Sequence, residues 1–410
     1  MLDHGPIIPH LFRTEYRKIV SVLCRHFGFR EIEVAEDIAS ETFQAAMQAW
    51  GLEGLPPNPA GWLYNTAKNK AKNHLHRESV FRHKIAQELQ NTTQQSDSAE
   101  VDLSLQNIND SQLQMMFAVC HPSVSHESQI GLSLRILCGF GIDEIASAFM
   151  TNKDVINKRL FRAKEKLREA KVAIEMPPAS AIEARLEPVL KTIYLLFNEG
   201  YYSASQNNTL RKDLCLEAIR LCTMLIEHSE TNKPKVNALL ALMCFHASRF
   251  DARINDNGSA VLYDEQDSSL WNRDLISKGG YFLRMAGQGN ELSKYHLEAG
   301  IAAWHTQQSD TAEKWEGILH LYNQLLQREY SPVAALNRTY AVAKVRGKEA
   351  AIAEAEKLQI PENHFYFALL GTLYTDIDDQ KAMLHWQTSL SLAKTDSDKE
   401  AIRKKLRSEI

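Results

Sequence analysis

The stretch GFGIDEIASAFMTNKDVINKRLFRAKEKLREAK, Gly139 to Lys171, begins as a small amphipathic segment and ends as a cationic one. Ile142, Ile145, Ala146 and Phe149 recur at helical spacing and predict a short helix over Ile142–Phe149. "MTN" forms a turn, and Asn152 is a residue type that caps helices. Ile156, Leu160, Ala163 and Leu167 then recur at four, three and four residues, the apolar stripe of a second helix. Lys153, Asn157, Lys158, Phe161, Lys164 and Arg168 therefore point elsewhere. A short helix, a tight turn and a longer helix with basic and amide residues near its start make a helix-turn-helix. Its second helix can place N-terminal residues at base edges in the major groove. Lys153, Asn157 and Lys158 fit base-edge contacts. Arg159, Arg162 and Lys166 fit phosphate contacts or packing. Eight Lys or Arg face three acids between Lys153 and Lys171, although the whole chain carries a formal charge of -4. The same pattern also fits a solvated basic helix, or one docked on an acidic protein surface.

At 410 residues the chain is too long for one ordinary core. Its 44% hydrophobic and 24% charged content is that of a globular protein. The six cysteines form no CxxC pair and sit mostly in apolar helical runs, which reads as buried free thiols in a reducing compartment. The N-terminal MLDHGPIIPHLFRTEY has neither the basic nor the apolar region of a signal peptide. No apolar run reaches the length of a membrane span, so a cytoplasmic protein without membrane partners is expected. Apolar spacing is helical throughout, predicting an all-α chain. "QELQNTTQQSDSAEVDLSLQNINDSQ" (Gln87–Gln112) reads as a flexible linker. The proline pair in "EMPPAS" (Glu175–Ser180) stops the basic helix. The expected layout is an N-terminal helical domain over 1–85, a linker over 86–110, a helix-turn-helix domain over 111–173 and a large helical domain over 181–410.

Charge in the first block is segregated. Every charged residue from Glu31 to Glu53 is acidic: Glu31, Glu33, Glu36, Asp37, Glu41 and Glu53. From Gly61 to Arg82 the balance reverses, with Lys68, Lys70, Lys72, Arg77 and Arg82 against Glu78. Lys68 and Lys72 share a helix face, with Asn65, Asn69 and Asn73 on a neighbouring stripe. Trp62, Tyr64 and Phe81 flank them. Cations, amides and aromatics suit a nucleic acid with unstacked bases. A solvated face with Trp62 in the core is the alternative.

Together the two blocks resemble the sigma-70 family of bacterial RNA polymerase sigma factors, in the short extracytoplasmic-function type that keeps regions 2 and 4. "AEDIASETFQAAMQAW" (Ala35–Trp50) resembles the region 2.2 helix, which docks on the β′ clamp of core RNA polymerase. Asp37 and Glu41 fall at its contact positions. "PAGWLYNTAKNKAKNHLHRE" (Pro59–Glu78) resembles regions 2.3 and 2.4, which melt the -10 element. The resemblance assigns Asn58, Trp62, Asn65, Lys68, Asn69 and Lys72 to the -10 strand, with the loop Gly51–Ala60 as a flipped-base pocket. "EIASAFMTNKDVINKRLFRAKEKLR" (Glu144–Arg168) resembles region 4.2, which reads the -35 element and in this family sits by the β flap. That implies -35 contacts from Lys153, Asn157, Lys158, Arg159, Arg162 and Lys166. Met150 stands where many such factors have glycine, and a positive φ there would strain the turn.

These motifs span about 165 residues. "VLKTIYLLFNEGYYSAS", "LRKDLCLEAIRLCTMLIE" and "YDEQDSSLWNRDLI" resemble a C-terminal extension of one sigma subgroup with a tetratricopeptide-like domain. Independently, "FYFALLGTLYTDIDDQKAMLHWQTSLSLA" carries Gly371-x-x-Tyr374 followed by Ala382, Trp386 and Leu390 at four spacing, a helix-pair repeat pattern; Ser331–Leu358 reads as a degenerate preceding unit. Stacked helix pairs offer a concave surface, so a protein partner is expected there. Asn198, Glu199, Tyr201 and Tyr202 read as a helix end capped by Gly200, and Asp264, Glu265 and Asp267 as an acidic loop. Cys120, His121 and His126 fit no standard zinc spacing. No phosphate loop, nucleophile elbow or paired-carboxylate site is found, so neither an enzyme nor a cofactor or metal is expected. The reading is a sigma factor with a regulatory or docking extension. A helix-turn-helix regulator with a repeat-type sensor domain is the alternative, and an interaction scaffold without DNA binding a third.

Overall fold

The computed structural model describes residues 7–89, 101–149, 151–202, 210–254, 261, 263–358, 360–394 and 396–408. Met150, and residues 90–100 of the expected linker, lie outside them. Among the described residues the elements are α-helices and short 3-10 helices, and the fold is all-α. The chain divides into two compact units, Met1–Thr192 and Ile193–Ile410.

The first unit contains α1 (Ile7–Phe27), α2 (Ile32–Glu53), α3 (Pro59–Leu89), α4 (Leu105–Val119), α5 (His126–Ile136), α6 (Ile142–Ala148) and α7 (Lys153–Glu169). The division between the units falls inside α8 (Ala179–Tyr202). α1 is the hub: it packs against α2, α3, α4 and α5. Ile19, Val20, Val22 and Leu23 of α1 are buried, as are Ile32, Ala35, Ala39, Phe43 and Ala46 of α2. The C-terminal part of α4 is apolar almost all round, with Leu113 and Met115–Val119 buried, as a segment enclosed by neighbours requires. Arg17 is a buried cation of α1 that donates to the carbonyls of Leu137 (3.3 Å) and Cys138 (2.9 Å). These carbonyls follow the C-terminus of α5, where the helix dipole favours positive charge. The helices α1–α3 and the helices α4 and α5 thus share one core.

Local sequence explains the ends of these helices. Asn58 accepts a hydrogen bond from the Gly61 amide (2.9 Å) at the start of α3, and Asn152 accepts one from Val155 (3.0 Å) at the start of α7. The stripe Ile156, Leu160, Ala163 and Leu167 is buried. The proline pair does not end α7, which stops at Glu169. Lys171 takes a left-handed φ of 49°, and the Val172 amide returns to the Leu167 carbonyl (3.1 Å). α3 runs to Leu89 and α4 begins at Leu105, so both ends of the expected linker are helical.

The second unit contains α9 (Lys212–Glu227), α10 (Pro234–Ala247), α11 (Arg273–Ala286), α12 (Lys294–Trp304), α13 (Ala312–Arg328), α14 (Pro332–Arg346), α15 (Lys348–Ala355), α16 (His364–Tyr374), α17 (Asp379–Leu392) and α18 (Asp396–Ser408). α10 is enclosed by α9, α11 and α12. Successive helices from α12 to α18 pack on their chain neighbours. Gly371 lets α16 approach α17: a Cβ there would lie 2.7 Å from the Trp386 ring. Gly200 is not a helix cap. α8 continues to Tyr202, and a Cβ at Gly200 would meet the Cys215 sulfur at 2.7 Å, so the glycine serves a close crossing. All six cysteines are buried and free, and burial pushes the Cys120, Cys215 and Cys244 thiols up to about 12.

Candidate nucleic-acid interface

α3 buries Leu63, Ala67 and Ala71 on one side. Helical geometry puts Asn65, Asn69 and Lys72 opposite that stripe, and all three are exposed. Trp62 and Lys68 border this face and are half-buried. Trp62 is neither a full core residue nor a free one: its indole meets the buried Trp50 edge-on, with ring centroids 5.4 Å apart. Asn58 is exposed but spends its carbonyl oxygen on the cap of α3. The sequence-predicted set Asn58, Trp62, Asn65, Lys68, Asn69 and Lys72 therefore gathers along one side of one helix. It offers amide hydrogen-bonding groups, positive charge and an indole edge.

On α2, Asp37 is exposed, while Glu41 pairs with Lys70 of α3 (2.9 Å). The acidic helix and the basic helix are thus tied along their shared edge, and Asp37 faces outward beside it. Two further carboxylates of α2 have partners that sequence reasoning missed. Glu36 meets Lys164 Nζ at 3.3 Å, and Glu33 pairs with Arg168, both cations belonging to α7.

α7 is cationic on two faces with different neighbours. Asn157, Lys164 and Arg168 form one stripe, and its C-terminal end is taken up by Glu36 and Glu33. Lys153 begins this stripe and pairs with Asp143 (2.7 Å). The other face carries Lys158, Arg159, Arg162 and Lys166. With Ser125 and Ser128 at the start of α5, these line a groove of about 420 Å³. Arg159 also packs over the Phe149 ring (5.3 Å) and lies 3.4 Å from Glu127. The six -35 candidates are consequently split: four line the groove, while Lys153 and Asn157 lie on the stripe whose C-terminal residues Lys164 and Arg168 pair with α2. Ser125 and Ser128 were missed because only packing of α5 against α7 brings them to the cations.

Such a groove, cationic and rimmed by hydroxyls, suits a phosphate backbone. Among the described residues no helix is long and apolar enough to cross a membrane, and no three or more His, Cys, Asp or Glu gather as metal ligands.

Comparison with known proteins identifies the class of this N-terminal architecture. Residues 11–80, covering most of α1, all of α2 and most of α3, match the model of sigma-70 region 2. Residues 185–287 match a family of unknown function, DUF6596. An uncharacterized protein of Rhizobium meliloti is 32% identical over 383 residues, 92% of this chain and 90% of that protein. The RNA polymerase sigma-H factor of Pseudomonas aeruginosa is 27% identical over 160 residues, 37% of this chain and 80% of that factor. No solved structure matches. The chain belongs to the same family as the Rhizobium protein, and it carries a sigma-70 region 2 domain.

Proposed function

We propose that this chain is an alternative sigma factor of the extracytoplasmic-function type that binds core RNA polymerase and directs promoter-specific initiation. The observation that carries the reading is the exposed face of Asn65, Asn69 and Lys72 on α3, inside the matched region 2. Region 2 implies polymerase and promoter DNA as partners. In this reading the outward face of α2 docks on the β′ clamp through Asp37, with Glu41 at its edge. The α3 face holds the melted -10 strand. Its amides meet unstacked bases, Lys72 and Lys68 neutralise phosphate, and Trp62 abuts the first unpaired base.

α6 and α7 act as region 4 at the -35 element, beside the β flap. The cationic groove holds phosphate, and the N-terminal residues Lys153, Asn157 and Lys158 stand nearest base edges. The alignment with the sigma-H factor supports a second sigma-like segment, because its 160 residues exceed the span of region 2. The four-part layout, 1–85, 86–110, 111–173 and 181–410, belongs to the same proposal. So does a tetratricopeptide-like C-terminal domain that regulates initiation by docking a protein partner. The close crossing of α16 and α17 at Gly371 and Trp386 supports a helix-pair repeat. The chain carries out no chemical step in this scheme.

Run-off transcription with purified core polymerase tests it. Core plus this chain initiates at promoters where core alone does not. Failure across a promoter library, with binding of the chain alone to DNA, would favour an ordinary helix-turn-helix regulator.

A further inference from the structure

The second unit holds a cluster of cations and aromatic rings that promoter recognition does not use. Arg249 follows the C-terminus of α10 and is 8% exposed. Its guanidinium lies 5.3 Å from the centroid of Tyr263, whose ring is also 5.6 Å from Lys314 Nζ. Lys314, in the first turn of α13, is 2% exposed; its ammonium donates to the Gln307 carbonyl (3.0 Å) and lies 3.4 Å from the Tyr263 hydroxyl. His305, at the end of α12, meets the Tyr263 ring edge-on at 5.0 Å, and Trp271 lies 6.2 Å from the same ring. Four separated segments thus converge around Tyr263.

Three features of this cluster are costly without a ligand. Among the described residues the Arg249 guanidinium has two hydrogen-bond partners, Tyr201 Oη and His246 Nδ1, each at 3.4 Å. No carboxylate among the described residues forms an ion pair with it. A buried guanidinium whose partners are neutral leaves most of its desolvation cost uncompensated. Among the described residues, the indole Nε1 of Trp271, a residue 5% exposed, is buried without a hydrogen-bond partner, and so is His305 Nδ1. Burial, then Arg249 and Lys314, lower His305 to about 3, so a neutral imidazole sits in a positive field. Burial, then Arg249, Arg253 and His305, also lower His246 well below its usual range.

We propose that Arg249, Trp271 and His305, with Lys314 beside them, form a binding site for an oxyanion, the phosphate or carboxylate group of a small molecule. A planar fork of guanidinium donors matches either group, and the indole N–H and the imidazole N–H supply further donors. Tyr263 provides an aromatic wall. Arg249, Tyr263 and Trp271 all fall within the residues that match the family of unknown function. The site stands independently of the promoter-reading proposal and gives the second unit a chemical input of its own.

The test is thermal unfolding of the full chain, titrated separately with inorganic phosphate, acetate and benzoate at ionic strength held constant with sodium chloride. An oxyanion at about ten times its Kd raises Tm by roughly 3–5 °C. The phosphate and carboxylate arms show which group the site takes. In Arg249→Met the rise is lost, while the anion-free Tm equals or exceeds that of the wild type. Trp271→Phe removes one donor, keeps an aromatic ring and halves the rise or more, which keeps the test informative should Arg249→Met fail to fold. Equal shifts in wild type and Trp271→Phe, or no shift beyond chloride with any of the three anions, would overturn the site.

Discussion

Lys164 Nζ lies 3.3 Å from a carboxylate oxygen of Glu36, an ion pair between α7 and α2 that joins residues 128 positions apart. Both side chains are largely shielded from solvent, at 17% and 25% exposure, so water screens this pair less than a surface pair. Lys164→Glu should destabilise the first unit by about 1–2 kcal/mol, and adding Glu36→Lys should recover at least half of that. A double-mutant cycle in urea measures the coupling. Additive losses would show that the pair contributes nothing.

The groove face and the α2-facing stripe of α7 should differ in their response to salt. Removing one phosphate-neutralising cation lowers the slope of log affinity against log salt by about 0.9. Arg162→Ala and Lys166→Ala should each do so in promoter binding by the polymerase complex. Lys153→Ala should change it less, since in the proposed -35 reading Lys153 stands at a base edge and not on a phosphate. Binding measured across a salt series decides the point.

Neighbouring residues on α2 and α3 should separate in the same way. Asp37→Ala should weaken core-polymerase binding roughly tenfold, the effect of losing one charge-assisted contact. Lys72→Ala should slow promoter opening while sparing core binding. Lys70→Ala should slow opening less, because its ammonium is engaged by Glu41. Equilibrium binding to core and permanganate footprinting of the melted strand provide the two readouts.

The second unit should carry a pH-dependent term at Glu298. Burial raises this carboxyl to about 7, against the lowering influence of Lys294 and the Tyr194 hydroxyl. Between about pH 4.5 and 7 the folded chain holds a proton that the unfolded chain has released, so stability falls as pH rises. Glu298→Gln should remove that fall and stabilise the protein by on the order of 2 kcal/mol at pH 8. His246 and His305, whose imidazoles burial and nearby cations hold below the usual range, slope the other way, so the wild-type-minus-variant difference is the quantity to plot from melts at successive pH values.

At the crossing of α16 and α17, Gly371→Ala should cost about 1–3 kcal/mol, because its methyl would lie 2.7 Å from the Trp386 indole. Gly371→Ala with Trp386→Leu should recover part of that loss. Chemical unfolding of the two variants measures the difference.

The sequence by itself determined the cap of α7 and the buried faces of α3 and α7, though not the helical ends of the expected linker or the role of Gly200. Asn152 caps α7 and Ile156, Leu160, Ala163 and Leu167 are buried, because capping and helical period depend on residues a few positions apart. The face of Asn65, Asn69 and Lys72 followed from the same period. The tertiary structure alone decided which cations are occupied. Lys164 and Lys166 are chemically identical and two residues apart, yet one meets Glu36 and the other lines the groove. The oxyanion cluster was illegible for the same reason: Arg249, Tyr263, Trp271, His305 and Lys314 come from separate segments, and only packing brings them to one ring. A helix fixes the direction in which each side chain points, but long-range packing fixes what it meets, and charge acts through what it meets.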